Sequence, residues 1–122
     1  MKISGFKHLT DNELLRHYAD AAKQYRVTAA GKEFSGAEQY AEMIERIYQE
    51  LKSRKNNSQN ALLILLEHDD PAVLRWAAAH ALEFAPGMGK PVLEKLAKKG
   101  SGALSEDAQK ILREWCKTHL QF

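Results

Sequence analysis

The sequence predicts an all-α protein, and three observations carry that expectation. Ala (17) and Leu (15) make up about a quarter of the 122 residues, whereas Val, Ile and Thr together number 11, so good helix formers outweigh β-branched residues. Apolar residues recur at three- and four-residue steps in one segment after another, the period of a single helix face. No segment alternates apolar and polar with a period of two between turn residues, as a half-buried strand would. About six helices are expected.

The first helix signal is Thr10-Asp11-Asn12-Glu13, a capping box in which the Thr10 hydroxyl and the Glu13 carboxylate each satisfy a backbone N–H at the helix start. Behind it Leu14, Tyr18, Ala21, Ala22, Tyr25 and Ala29 form one stripe, and Gly31 is placed to end the helix in a left-handed cap. Ser35-Gly36-Ala37-Glu38 repeats the capping-box spacing. Tyr40, Met43, Ile44, Ile47, Tyr48 and Leu51 then form a second stripe, ending in the polar run from Lys52 to Asn60. Helices over 10–30 and 36–53, joined by a short loop, read as an antiparallel hairpin.

The second half begins with a short apolar helix over 58–67. Asp69-Asp70-Pro71 follows, with Asp70 as N-cap and Pro71 at the first helical position, where its missing N–H is no loss. The helix this starts, over 71–84, buries Val73, Leu74, Ala77, Ala78 and Ala81. Ala85-Pro86-Gly87-Met88-Gly89 reads as its stop. Helices over about 90–99 and 105–119 complete the chain, separated by Gly100-Ser101-Gly102.

These segments repeat with an offset of 30. Leu62, Leu63 and Leu66 fall on Val92, Leu93 and Leu96; Val73 and Leu74 on Ala103 and Leu104; Ala78, Ala81 and Leu82 on Ala108, Ile111 and Leu112. Eight apolar matches in one ungapped frame, with the loop in register, indicate stacked two-helix units. The stretch from Asp69 to Leu82 (DDPAVLRWAAAHAL) resembles the second helix of a HEAT repeat: a capping Asp, Pro, Val two residues on, a basic residue, then small residues ending in Ala-Leu. In HEAT repeats the basic residue usually follows the Val directly, whereas here Leu74 intervenes before Arg75. The whole chain also resembles a family of small bacterial HEAT-like (ARM-type) proteins of unknown function that end, as here, in Leu112-Arg113-Glu114-Trp115. The resemblance implies a right-handed α-α superhelix of hairpins. It also implies a protein partner, since some members are thought to be immunity proteins of toxin systems. One domain over 1–122 is expected, with an N-terminal hairpin at 10–53 and two HEAT-like hairpins at 58–119.

Composition removes several function classes. The longest apolar run, Ala61 to Leu66, is six residues, far below the ~20 of a membrane span. No apolar signal core follows the N-terminal Met-Lys-Ile-Ser-Gly. A single cysteine, Cys116, excludes an internal disulfide framework and fits a reducing, cytoplasmic setting. Eighteen Lys and Arg against 16 Asp and Glu leave a formal charge of +2, which gives weak steering toward phosphates. Lys95, Lys98 and Lys99, and Lys52, Arg54 and Lys55, therefore read as solvated faces near helix ends, with nucleic-acid binding as an alternative.

Chemistry-bearing clusters are sparse. His68-Asp69-Asp70 after Glu67 is the densest set of metal-ligand types, but no His-x-x-x-His pair accompanies it, and it reads as a capped turn. His80 lies near Trp76 and Glu83 on a helical wheel, and Glu83 is placed to orient its imidazole as a base, yet that helix brings no Ser, Cys or Thr nucleophile. Cys116 sits at a helix C-terminus, where the dipole opposes a thiolate. Gly87-Met88-Gly89-Lys90 lacks the strand and spacing of a phosphate loop. No enzyme activity, metal or cofactor is expected, with an enzymatic or small-molecule site at His80 and Glu83 as an alternative. The favoured reading is a protein-binding module that presents Arg75, Trp76, Ala79 and Glu83 on the outer face of the 71–84 helix. Arg and Trp are enriched at interface hot spots, and Ala79 keeps the surface open. The sequence leaves the oligomeric state open.

Overall fold

In the computed structural model, which describes residues 3–30, 36–55, 57–99 and 102–119, every regular element is helical. Five α-helices follow one another: α1 (Asp11–Ala30), α2 (Ala37–Ser53), α3 (Pro71–Phe84), α4 (Pro86–Lys98) and α5 (Ala103–His119). Two segments, Ile3–His8 and Ser58–Glu67, are wound as 3₁₀ helices. All six expected helices have a counterpart, and Ile3–His8 was not foreseen. Contacts divide the chain into two compact units, one ending at Leu65 and one beginning at Leu66.

In the first unit the Thr10–Glu13 box closes as its spacing predicts. Thr10 N–H donates to Glu13 Oε1 at 2.8 Å, and Glu13 N–H donates to Thr10 Oγ1 at 3.1 Å. Those bonds to Thr10, the backbone one first, hold the exposed Glu13 carboxyl below its ordinary value. α1 packs on α2. Leu14, Tyr18, Ala21 and Ala22 are buried along α1, and Ile44, Ile47, Tyr48 and Leu51 along α2, as the stripes require. Tyr25, Tyr40 and Met43 are only half-buried. α2 starts behind Gly36, with no side-chain bond at that cap. Ser35, on which the second capping box rests, lies outside the described residues, as does Gly31.

The polar run after α2 holds a residue that the charge pattern misplaces. Arg54 is no solvated cation. Its Nη1 donates to Asp11 Oδ1 at 2.8 Å, its Nε to Glu50 Oε2 at 2.9 Å, and its Nη2 to the Phe6 carbonyl at 3.0 Å. One guanidinium thus ties the ends of α1 and α2 to the 3₁₀ segment whose Phe6 side chain is buried. Burial opposes its charge, but Glu50 and Asp11 outweigh that and raise its pKa further.

In the second unit Asp70 and Pro71 start α3 as expected. Asp70 Oδ1 accepts from Ala72 N–H at 2.8 Å, with Pro71 in the first turn. The expected stop after Phe84 shrinks to one residue, Ala85 (φ −148°, ψ 62°), and α4 begins at once at Pro86. Pro86 costs no hydrogen bond there, for the reason that applies to Pro71. Gly89 explains why a glycine-rich run can be helical here. A Cβ on it would lie 2.6 Å from the Ala78 carbonyl oxygen and 3.0 Å from the Ala81 Cβ, so α4 crosses α3 where only glycine fits. Gly102 (φ +109°) leads into α5, whose Ser105 hydroxyl donates to the Ala97 carbonyl at 2.7 Å. α3, α4 and α5 share one core of Ala78, Leu82, Leu93 and Ala108, with Leu66, Val92, Leu96, Ile111, Leu112 and Trp115 packed against it.

Candidate functional site

α3 is buried around most of its circumference. Ala72, Val73, Trp76, Ala77, Ala78, His80, Ala81 and Leu82 are all inside, a wider face than the predicted stripe. Leu74, expected inside, is only half-buried, as is Phe84, and Pro71 is exposed. Arg75, Ala79 and Glu83 are open as well and stand four residues apart, the spacing that stacks side chains along one helix face. Arg75 and Ala79 are half-buried, and Glu83 is exposed.

Trp76 does not stand on that line. It is 8% exposed, which corrects its expected place on the outer face. One step past Arg75 turns its large ring toward the buried side of the helix, where burial of an aromatic ring contributes most. There it forms a floor for its neighbour: the Arg75 guanidinium carbon lies 4.2 Å from the Trp76 ring centroid. The His80 ring lies on the same side, its centroid 6.2 Å from that of Trp76 at an interplanar angle of 42°. His80 is buried rather than marginal.

Arg75 is also held from a second direction. Its Nε donates to Asp107 Oδ2 on α5 at 2.5 Å. The guanidinium is fixed by a ring on one side and a carboxylate on its edge, and its side chain keeps 17% exposure. Asp107 and Asp11 are the functional-looking partners that sequence reasoning missed. No local signal marks them, because Asp107 lies 32 residues from Arg75 and Asp11 lies 43 from Arg54.

The turn before α3 is a capping device. His68 Nδ1 accepts from the Asp70 N–H at 3.0 Å while Asp70 caps the helix, and Asp69 is exposed. Among the described residues no three His, Cys, Asp or Glu side chains converge as metal ligands would. Cys116 is half-buried on α5. Lys52, Lys95, Lys98 and Lys99 are exposed, and Lys52 lies 5.8 Å from the Tyr48 ring centroid. Among the described residues no helix is long and apolar enough to cross a membrane.

Comparison with known proteins places the chain. The family described as domain of unknown function (DUF2019) matches residues 12–115. No match is found among curated proteins. The crystal structure of the protein RPA1889 from Rhodopseudomonas palustris CGA009 is similar at a TM-score of 0.86 and 22% identity, over 95% of this chain and 96% of that one. At that identity the likeness is one of fold.

Proposed function

The chain belongs to the DUF2019 family, and on that premise we propose that it is a non-enzymatic protein-binding module whose contact line is Arg75, Ala79 and Glu83. The observation that carries this reading is the immobilised guanidinium of Arg75. A hot-spot residue already ordered by Trp76 and Asp107 loses less side-chain freedom on binding than a mobile one. Ala79, one turn on, leaves room beside it for a partner side chain. Glu83 adds an exposed charge at the far end of the line.

An immunity or adaptor role, a toxin as one type of partner, and a cytoplasmic setting belong to the same reading and rest on the family resemblance. So does a single domain over 1–122 built of HEAT-type hairpins. The offset-30 pairs Ala78/Ala108 and Leu82/Leu112 support that repeat, because all four side chains meet in one core. The test is capture of a partner from the native host, followed by calorimetric titration against variants of Ala79 and Glu83.

A further inference from the structure

The line Arg75–Ala79–Glu83 is symmetric in position and opposite in charge. A cation stands at one end, a carboxylate at the other and a single methyl group midway. Arg75 and Glu83 are about 12 Å apart along the helix, and Ala79 marks the centre of that span. Turned end for end about Ala79, the line becomes its own complement, because Arg75 falls on Glu83 and Ala79 falls on itself. Such a surface fits a second copy through a two-fold axis, where residue i meets j and j meets i.

α5 extends the pattern. Only Ala85 separates α3 from α4, and the Ser105 hydroxyl at the start of α5 donates to the Ala97 carbonyl near the end of α4. Lys90 Nζ, near the start of α4, lies 5.8 Å from the ring centroid of Trp115, late in α5. α3 and α5 therefore run in the same direction, and the Arg75–Asp107 bond sets their register. Lys110 and Glu114 are exposed and share the Asp107 side of α5, Lys110 one turn on and Glu114 two turns on, abreast of Glu83. Arg75 and Lys110 outweigh Asp107 toward one end of this face, whereas Glu83 and Glu114 stand at the other. The two ends are opposite in sign.

We propose that in the free protein this face is covered by a second copy. α3 lies antiparallel on α3, with Ala79 against Ala79 on the two-fold axis and Arg75 of each copy reaching Glu83 of the other. The inference rests on the reading of this line as a contact surface and names its first occupant, which a heterologous partner must displace. Arg75 Nε is engaged by Asp107, so its terminal nitrogens, which are donors only, take the incoming carboxylate. A face two helices wide and ~20 Å long offers roughly 400 Å² per copy, the low end for a specific pair. The association is therefore weak and sensitive to salt.

Sedimentation equilibrium of the full chain, from about 10 μM to about 1 mM at low and high salt, reads this with no other protein present. The wild type should dimerise reversibly, and Glu83→Lys, which sets like charges together, should weaken the pair about tenfold or more. Cross-linking reads the axis. With Cys116→Ala in place, Ala79→Cys should give a disulfide-linked dimer under mild oxidation, because position 79 meets itself. Glu83→Cys should not, since its two copies lie about 12 Å apart, beyond disulfide reach. A monomeric wild type, a dimer indifferent to Glu83→Lys, or equal cross-linking at both positions overturns the proposal. None of these results bears on whether a heterologous partner binds the line, which calorimetry decides separately.

Discussion

Arg75 on α3 and Asp107 on α5 form an ion pair across the second unit, with the guanidinium laid over the Trp76 ring. On the sequence alone Arg75 reads as an exposed residue whose replacement leaves stability untouched. The pair reverses that expectation, because α3 and α5 are adjacent and each contributes a half-buried member.

Arg75→Glu should therefore lower the free energy of unfolding by about 1–3 kcal/mol, since it removes the stack and sets two carboxylates together. Both side chains retain some exposure, which keeps the figure below that of a buried pair. Adding Asp107→Lys should recover part of the loss. Urea denaturation of the two single variants and the double variant measures the coupling.

Gly89→Ala is the sharpest packing test. Its Cβ would meet backbone, the Ala78 carbonyl oxygen, which cannot give way as a flexible side chain would. A loss of about 2 kcal/mol or more is expected from thermal or urea unfolding. Gly87→Ala is the control, because nothing lies within 4 Å of its added carbon.

Leu93→Ala should cost about 2–5 kcal/mol, as it empties a fully buried site. The repeat alignment predicts the same cost for Leu66→Ala and Leu112→Ala. Both are only half-buried at the edge of the core, so about 1–3 kcal/mol is expected for each. Equilibrium denaturation separates the two groups.

The Thr10–Glu13 box carries a pH signature. Its bonds favour the charged Glu13 carboxylate, so the folded pKa lies below the unfolded one. The contribution is then fully present above the ordinary carboxylate range and is lost as pH falls through the depressed folded value. Carbon-detected NMR titration should show Glu13 ionising below the ordinary carboxylate range. Thr10→Ala should return it to that range.

What was legible in the sequence is what local chemistry dictates. Asp70-Pro71 and Thr10-x-x-Glu13 announce helix starts because their bonds close within three residues. The leucine and alanine stripes announce buried faces because helical periodicity is local. The start of α4 was hidden because Pro86-Gly87-Met88-Gly89 has breaker composition, and Gly89 is required by a helix brought over it by tertiary packing. Arg54 and Arg75 read as surface cations because Asp11 and Asp107, which tie them to other helices, are distant in the chain, and the local Glu50 by itself marks only an i,i+4 pair. Trp76 borders the stripe on a wheel, and only the full width of the buried face of α3 places it inside.

The central claim is that the line Arg75–Ala79–Glu83 receives a protein partner. Ala79→Lys combined with Glu83→Lys alters that line while Arg75, Asp107 and Trp76 themselves are kept. Titration calorimetry of this double variant against the partner captured by the wild type tests the claim most directly. The account predicts an affinity loss of about 30-fold or more, on the order of 2 kcal/mol, with the melting temperature held. An affinity equal to that of the wild type would contradict it.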